Sequence, residues 1–426
     1  MKHPKTMFTY AGIDSHKNTH TCILLDCFYD KLGQVVFPNI PAKFGEFLAK
    51  AETLKAEGTE LIFGLEDVSA YGRALTVFLT NNGKKVKHVN AVLVARERKN
   101  QNARQKDDFI DAECAAKILL SKLNSLPDVA PQDKYFILRT LVIRRQSIVK
   151  QNTALKNHLH ALITSHYPSY HEFFAKIDTN TALTFFKTYP SPSSVIGTTE
   201  EELAAMLWKL SNGRVSAEKT HKIYKRIMED GNTETEYQKT RDICVKSAIR
   251  QLEFNTREIE SLEENIADFL DNFDCQLTSM KGIDTVSAAR LIACIGDIKR
   301  FETPAKLARY SGVAPITYAS GKTKLQYSNE RGNRELNSLF YLLAVRVSMP
   351  TGPARRLINP FFHEYYHRKL SEGKTKRQAL KSAQRRLINI IWNMMTYNVP
   401  YINPPTYLVP KKETEKETEK STKNFD

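Results

Sequence analysis

The chain has 426 residues, enough for two or three domains, and its 63 Lys and Arg residues exceed its 47 Asp and Glu residues, giving a formal net charge of +16. A positive surplus of this size indicates a polyanionic partner, most simply nucleic acid. The six cysteines are scattered without paired spacing, which argues against a zinc ribbon or a disulfide scaffold. The sequence shows no signal-peptide pattern and no long apolar run, so we expect a soluble protein of the cytoplasm.

Residues 8–130 alternate strand-like and helix-like segments. The runs FTYAGID, HTCILLDCF and QVVFPNI predict three strands in quick succession, and ELIFGLE and KVKHVNA predict two more, with helices between and after them. Three hairpin-like strands followed by alternating helices and strands indicate an α/β domain with the element order of ribonuclease H.

Carboxylates stand at the ends of two predicted strands and in a predicted helix. Asp14 closes YAGID and Glu66 closes LIFGLE, while Asp108 and Asp111 are three residues apart and share a helix face. Four converging acids would repel one another unless divalent cations neutralised them, and hard oxygen ligands suit Mg²⁺ or Mn²⁺. Two such ions about 4 Å apart can hold a phosphodiester. The sequence therefore predicts metal-dependent chemistry on nucleic-acid strands.

Two long segments have heptad spacing. Apolar residues follow a 3-4 pattern over 134–165 and again over 245–273, as in coiled coils, and Asn255 is a polar residue that would fix the register of the second seam. The two seams could pair within one chain or between chains. We expect a helical coiled-coil region at 131–275 and a homo-oligomer, either a dimer or a tetramer.

The segment MKGIDTVSAARLIACIGDIKRF has the pattern of a helix-hairpin-helix, in which Gly282 and Ile283 form the tight hairpin. Such hairpins present backbone N–H groups to a DNA phosphate without reading its sequence. Asp284 replaces the usual second glycine, so a plain helical hairpin is the alternative.

Two other motifs are incomplete. The tail of a phosphate-binding P-loop is present at 321–323, but position 316 is Ile where a glycine is required, and an extended run follows where a helix is required. The sequence HEYYH at 363–367 matches a zinc-protease pattern but has no third ligand at the usual spacing. Neither nucleotide binding nor proteolysis is expected.

The same run, YASGKTKLQYSNERGN, offers a small serine, Ser320, between Ala319 and Gly321. Cationic side chains that could contact a phosphate follow closely, namely Lys322, Lys324 and Arg331. The sequence thus predicts either a phosphate-binding segment or a nucleophile for a phosphodiester.

The chain resembles the DEDD-type insertion-sequence transposases, which are recombinases guided by a bridge RNA from their own element. The resemblance rests on the order of the four acids, the heptads and the blocks Y-S-G-x-x-P, A-S-G-K and R-G-N-x-x-L. The resemblance covers roughly residues 8–400. It implies a RuvC-like domain at 8–130, a coiled-coil region at 131–275 and a mostly α-helical transposase domain at 276–402. The charged, repetitive tail at 403–426 is expected to be disordered.

The resemblance also implies roles for individual residues. Asp14, Glu66, Asp108 and Asp111 would be the metal ligands, and Ser320 would be the nucleophile, with Ser311 of the Y-S-G block as a competing candidate. The family brings acids and serine together across protomers.

We therefore expect a DNA transposase or recombinase that acts on element ends and target DNA with a structured guide RNA. One alternative is a RuvC-like structure-selective nuclease that hydrolyses junctions with water. Another is a non-catalytic nucleic-acid-binding protein. Metal-dependent cleavage would distinguish the transposase and the nuclease from the non-catalytic protein. A covalent protein–DNA adduct would distinguish the transposase from the nuclease.

Overall fold

The computed structural model describes residues 4–403 apart from 69, 101–106, 130–133, 232–236, 321–322, 328, 330–331 and 353. Of the residues 317–320, 323–324 and 326, the backbone alone is described. Lys322, Arg331 and the tail from residue 404 onward lie outside the described residues. The chain divides into two compact units, Met1–Ile137 and Leu138–Asp426.

The first unit is built on a five-stranded mixed sheet with the spatial order β3-β2-β1-β4-β5. The first three strands are antiparallel neighbours, whereas β1, β4 and β5 run parallel to one another. This arrangement is consistent with a ribonuclease-H-like domain, and all five strands fall where the sequence predicts them. The strands are β1 Phe8–Ser15, β2 Thr19–Leu25, β3 Lys31–Pro38, β4 Glu60–Leu65 and β5 Lys85–His88.

Helices cover both faces of this sheet, which explains why its central strands are apolar on both sides. Ala11 and Ile13 of β1 belong to a core formed with Phe44 and Leu75 on one face. Tyr10 belongs to a core on the opposite face. The helices of this unit are α1 Phe44–Leu54, α2 Arg73–Asn81, α3 Ala91–Asn100 and α4 Asp108–Lys122.

The second unit begins just after the first turn of a long helix, α5 Lys134–Thr164, and contains a second long helix, α9 Gln238–Leu270. Between them lie α6 Asn180–Thr188, α7 Glu200–Leu210 and α8 Ala217–Asp230. Both long helices occur where heptads were predicted, and most of their predicted seam positions are buried or partly buried. The coiled coil itself and the homo-oligomer stay predictions.

The C-terminal part is mostly helical, with one two-stranded antiparallel sheet. Its elements are α10 Thr285–Ile295, α11 Pro304–Tyr310, β6 Ile316–Ser320, β7 Thr323–Tyr327, α12 Arg334–Ser348, α13 Pro360–Ser371 and α14 Lys376–Tyr397. A further domain boundary near residue 275 stays a prediction. Among the described residues, no helix combines the length and the apolar content that crossing a membrane would require.

The predicted helix-hairpin-helix has its glycine turn and its second helix. Gly282 has a φ of 107°, and α10 follows with Asp284 as its N-cap, accepting a hydrogen bond from the backbone N–H of Ser287 at 2.8 Å. The segment before the turn is a single 3-10 turn, Leu277–Ser279, rather than an α-helix. The helix-hairpin-helix therefore remains unconfirmed.

Candidate active site

Asp14 lies near the end of β1, on the sheet face that α4 covers. Side chains alternate along a strand, so Tyr10, Gly12 and Asp14 share one face while Ala11 and Ile13 share the other. Because α4 begins at Asp108, its first turn is the part of the helix that carries the predicted acids.

The contact between β1 and α4 depends on Gly12. A Cβ atom at this position would lie 2.2 Å from the carbonyl oxygen of Ala112 and 2.2 Å from the amide nitrogen of Ala116. The absence of a side chain on Gly12 and the small alanines of α4 together allow helix and strand to approach this closely. The approach sets the distance between the acid on β1 and those on α4.

Asp14 and Asp108 converge on one imidazole. Nε2 of His16 lies 3.0 Å from Oδ2 of Asp14 and 3.0 Å from Oδ1 of Asp108. The three side chains each offer a ligand atom within 4.8 Å of the others. Among the described residues, this is the one group of three or more His, Cys, Asp or Glu side chains that is close enough to hold a metal ion. Two carboxylate oxygens and one imidazole nitrogen can hold a divalent metal ion, with the oxygens suiting Mg²⁺ and the nitrogen favouring a transition metal such as Mn²⁺.

Asp111 has a different partner. It is buried, and both of its carboxylate oxygens accept hydrogen bonds from Nη1 of Arg98, at 2.5 and 2.8 Å. Arg98 belongs to α3, which packs on α4. The guanidinium of Arg98 therefore supplies a counter-charge to Asp111, which lies farther along α4 than Asp108.

Glu66 follows β4 directly, beside Asp14. Ile13 pairs with Leu65 in the parallel ladder, so Asp14 and Glu66 are the next residues on the two neighbouring strands. The half-buried Glu66 lies outside the three-residue group of Asp14, His16 and Asp108. The structure thus groups two of the four predicted ligands, Asp14 and Asp108, directly. Asp111 lies one turn farther along α4, and Glu66 directly follows β4, the strand beside β1.

The electrostatics reflect this crowding. Burial raises the pKa of Asp14, and the neighbouring charges of Asp108 and Asp111 raise it further, against the lowering effect of His16. Burial lowers the pKa of His16, but the carboxylates of Asp14 and Asp108 outweigh it, so its pKa is raised. The group as a whole holds more negative charge than one imidazole can neutralise, which is the condition that attracts a cation.

The loop that carries His16 is fixed by Asn39. The side-chain amide of Asn39 donates to the backbone carbonyls of His16 at 3.3 Å and Tyr71 at 3.0 Å. The backbone N–H of His16 also donates to the carbonyl of Thr19 at 3.0 Å. These bonds hold the imidazole against the two acids.

The acids adjacent to the candidate ligands have local structural contacts. Asp67 accepts hydrogen bonds from the backbone N–H groups of Ala70 and Tyr71, at 2.8 and 2.7 Å. Asp107 caps α4 by accepting from the N–H of Phe109 at 3.2 Å. Their neighbours Glu66 and Asp108 are therefore the better candidates for chemistry.

In the second unit, Ser320 is the last residue of β6. It pairs with Thr323 of β7, so the two strands are joined by residues 321 and 322 alone. A strand, β7, follows where a P-loop would have a helix. Lys324 lies next along β7.

Ser311, the competing serine, is fully buried, and its hydroxyl donates to the carbonyl of Ala308 at 3.1 Å. It caps the end of α11. The hydroxyl of Ser311 is thus engaged in a hydrogen bond at the helix end.

The Y-S-G and R-G-N blocks pack against each other. A Cβ atom on Gly332 would lie 2.3 Å from Cα of Gly312, so neither backbone could approach the other if Gly332 carried a side chain. The side-chain amide of Asn337 donates to the carbonyl of Ser311 at 2.9 Å, and the N–H of Asn333 donates to the carbonyl of Tyr310 at 2.7 Å. The two ends of the segment that contains β6 and β7 are thereby joined.

Gly282 and Ile283 have a packing role in the structure. A Cβ atom on Gly282 would lie 2.7 Å from Cγ1 of Val347 in α12, and Ile283 is buried. The neighbouring Asp284 forms an ion pair with Arg346 at 2.6 Å.

Sequence reasoning missed His16 and Arg98. The two-residue spacing from Asp14 places His16 on the same side of an extended segment, and this signal was available. For Arg98, thirteen residues before Asp111 on another helix, the sequence carries no comparable signal.

Two family models match separate parts of the chain. One, described as a transposase of the DEDD IS110 type, matches residues 11–168. The other, the transposase IS116/IS110/IS902 family, matches residues 275–366. The first range contains the candidate metal ligands and the second contains Ser320.

Some similar proteins cover most of the chain at low identity, and another matches a shorter part of it. An uncharacterized 44.8 kDa protein of insertion element IS116 from Streptomyces clavuligerus is 24% identical over 399 residues, which are 91% of this chain and 94% of that protein. The uncharacterized 43.6 kDa protein of insertion element IS110 from Streptomyces coelicolor is 26% identical, over 84% of this chain and 85% of its own. A pilin gene-inverting protein from Moraxella bovis is 31% identical over 127 residues, 29% of this chain and 37% of its own.

Proposed function

We propose that this chain, which belongs to the IS110/IS116/IS902 family of transposases and is a DNA transposase or recombinase, cuts and rejoins DNA through a covalent bond to Ser320. The convergence of Asp14, His16 and Asp108 carries the proposal. A basic protein with an acidic metal-ligand group suits strand chemistry on a polyanion. The relative named as a pilin gene-inverting protein supports a recombining rather than a purely degrading reaction.

The donor set fits a divalent cation. When bound, such a cation would neutralise charge on the phosphodiester and polarise its phosphorus–oxygen bond. Asp14 and Asp108 would hold it, with His16 as the nitrogen donor and Glu66 on the adjacent strand end. Asp111, paired with Arg98, would keep the first turn of α4 in place.

Ser320 would act as the nucleophile. Its hydroxyl oxygen forms a bond to phosphorus, one ester bond of the DNA strand breaks, and the proton lost by the serine passes to solvent while the departing strand oxygen gains one. The number of phosphate ester bonds is unchanged, so a strand hydroxyl can reverse the step and rejoin DNA without ATP. Ser320 is favoured over Ser311 because Ser311 is buried and its hydroxyl is engaged.

The proposal includes guidance by an RNA from the same element, which would supply target choice through base pairing. The net charge of +16 supports a nucleic-acid partner of this kind. The acids belong to the first unit and Ser320 to the second, so the proposed reaction needs residues of both.

The test is a suicide DNA substrate, nicked near the cleavage site, incubated with the full-length protein, Mn²⁺ and RNA transcribed from the DNA flanking the gene. We expect a protein–DNA adduct that survives denaturation and maps to the peptide containing Ser320. It should depend on that RNA and not form with a scrambled RNA of equal length. Ser320→Ala should bind the DNA but lose the adduct.

Ser311→Ala is the matched control and should retain the adduct. An adduct that persists in Ser320→Ala would refute the assigned nucleophile. Metal-dependent cuts without any adduct would instead identify a hydrolytic nuclease. Adduct formation that is indifferent to the RNA sequence would remove RNA guidance from the proposal.

A further inference from the structure

A basic cavity of about 640 Å³ lies in the second unit, between α13, α14 and the loop that leads into β6. Val313, Ala314 and Pro315 form the loop side, and Pro315 directly precedes the strand that ends in Ser320. Its volume falls within the range of about 300–1,000 Å³ that small-ligand sites occupy.

The charges around the cavity have one sign. Lys374, Lys381, Arg385 and Arg386 line it, and no carboxylate is among the described residues that line it. Within the described part of the chain, three of these cations have no carboxylate within 4.0 Å, and Lys374 has only Glu372 at 3.9 Å. Four neighbouring cations with a single carboxylate near one of them repel one another, and a bound anion would relieve that repulsion.

Individual polar atoms support the same conclusion. Nη1 of Arg385 and Oδ1 of Asn389 are buried and have no hydrogen-bond partner among the described residues. A buried polar atom without a partner is costly, so a ligand that supplied the partner would be bound more tightly. The pKa of Lys381 is lowered by burial and by the charge of Arg377, which is the effect that a bound anion would reverse.

A second cavity provides the contrast. It has a volume of about 270 Å³ and is also lined by four cations, Lys219, Lys222, Lys225 and Arg226, but Glu172 and Glu229 line it too. Arg226 pairs with both of these carboxylates, at 3.0 and 3.1 Å. Its charges are internally satisfied, so basic residues alone do not distinguish a ligand site.

We propose that the cavity between α13 and α14 binds a phosphodiester unit of a nucleic-acid strand, next to the strand that carries Ser320. Arg385, Arg386 and Lys381 would contact phosphate oxygens, and Asn389 would accept a hydrogen bond from a base or sugar. The ring of Tyr365 lines the same cavity and offers a surface on which a base can stack. Lys381 also donates to the carbonyl of Gly312 at 3.3 Å, so a phosphate bound here would contact the loop that leads to β6.

This inference deepens the proposed function, but its test does not depend on cleavage. Full-length protein is titrated with labelled single-stranded DNA, double-stranded DNA and single-stranded RNA of equal length in EDTA, at several salt concentrations. Lys381→Gln/Arg385→Gln should weaken binding by about tenfold and reduce the salt-dependence slope by about 1 to 2. Failure of Ser320 as nucleophile would leave these results unchanged.

Lys222→Gln/Lys225→Gln is the matched control, because it removes the same charge from the internally paired cavity. It should bind all three ligands as the unmodified chain does. Arg385→Lys keeps the charge and should retain most of the affinity, and equal melting temperatures would show that the variants fold. Equal loss for DNA and RNA supports a backbone site, and loss for one polymer alone supports the site and identifies its ligand. Unchanged binding in the cavity variant, or an equal loss in the control, would overturn the proposal.

Discussion

The arrangement around Asp14 depends on a single imidazole nitrogen. Nε2 of His16 lies 3.0 Å from carboxylate oxygens of both Asp14 and Asp108, yet it can carry only one proton. One N–H cannot fully satisfy two carboxylates at once. The remaining negative charge is what a divalent cation would neutralise.

Removal of either carboxylate should therefore weaken metal binding. We expect Asp14→Asn and Asp108→Asn each to weaken Mn²⁺ affinity by more than about tenfold, since even indirect partners of a metal site are worth about 10–100-fold. His16→Ala should weaken Mn²⁺ more than Mg²⁺, because the imidazole nitrogen favours the transition metal. Calorimetric titration of the full-length protein with each metal measures both effects.

Asp107→Asn is the control for this series, since it removes the same charge one residue from Asp108 and alters only the cap of α4. Its metal affinity should be unchanged. Burial raises the pKa of Asp14, so the folded state disfavours the ionised carboxylate, and at neutral pH that ionisation reduces stability. Asp14→Asn should accordingly melt no lower than the unmodified chain without metal. A large fall in melting temperature, or full metal affinity in both Asn variants, would refute the site.

At this scale the sequence predicted the acids but not their partners. Asp14 and Asp108 were expected from strand-end and helix positions, which are local features. The contact of Arg98 with Asp111 depends on how α3 packs against α4, and α3 has only one buried side chain, Val94, to indicate that packing. Local patterns cannot supply such a distance.

Among the secondary-structure elements, β1 and α4 are positioned by one glycine. Any side chain at position 12 would overlap the backbone of α4, which cannot move aside as a flexible side chain can. We expect Gly12→Ala to lower the free energy of unfolding by about 1–3 kcal/mol, the usual range for overpacking. It should also weaken Mn²⁺ binding, because α4 carries Asp108.

Gly45→Ala provides the comparison. Gly45 lies in α1, and a Cβ atom there would have no neighbour within 4 Å. This change should leave metal binding intact and stabilise the protein slightly, by up to about 1 kcal/mol, because alanine favours a helix. Denaturant unfolding and metal titration of the two variants decide the matter, and equal behaviour would refute a positioning role for Gly12.

The elements themselves were largely predictable, because their signals are periodic. The apolar runs gave the five strands of the first unit, and the heptads gave α5 and α9. For the hairpin of β6 and β7, the sequence predicted only an extended run after Ser320. The pairing of Ser320 with Thr323 across residues 321 and 322 was not predicted. The close contact of Gly312 with Gly332 left no periodic signal in the sequence.

In the molecule as a whole, the two long helices contact each other within one chain. Nε of Arg145 in α5 donates to Glu263 in α9 at 2.8 Å. Leu159 of α5 and Leu252 of α9 belong to one apolar cluster, together with residues of α6, α7 and α8. Arg145, early in α5, contacts Glu263, late in α9, whereas Leu159, late in α5, shares a cluster with Leu252, earlier in α9. The two helices therefore run antiparallel. The sequence left open whether the two heptad segments pair within one chain or between chains. The structure contains contacts between them within one chain.

Two buried asparagines lie between these contacts on the two helices. Oδ1 of Asn152 in α5 and Nδ2 of Asn255 in α9 have no hydrogen-bond partner among the described residues, although Oδ1 of Asn255 accepts from Gln251 at 2.9 Å. A buried amide atom without a partner costs about 1–3 kcal/mol. Seam asparagines are retained in coiled coils because they restrict register and oligomeric state at the expense of stability.

Asn152→Leu/Asn255→Leu should therefore raise the free energy of unfolding by about 1–3 kcal/mol and broaden the mass distribution in sedimentation towards higher oligomers. Asn265→Leu is the control, because Asn265 is an exposed residue of α9 whose side-chain amide donates to the carbonyl of Ser261 in the same helix. It should change neither stability nor mass appreciably. A loss of stability in the double variant would mean that the two amides are hydrogen-bonded in the assembled protein. The predicted homo-oligomer would then be the place to look for their partners, since a second copy could supply a donor to Asn152 and an acceptor to Asn255.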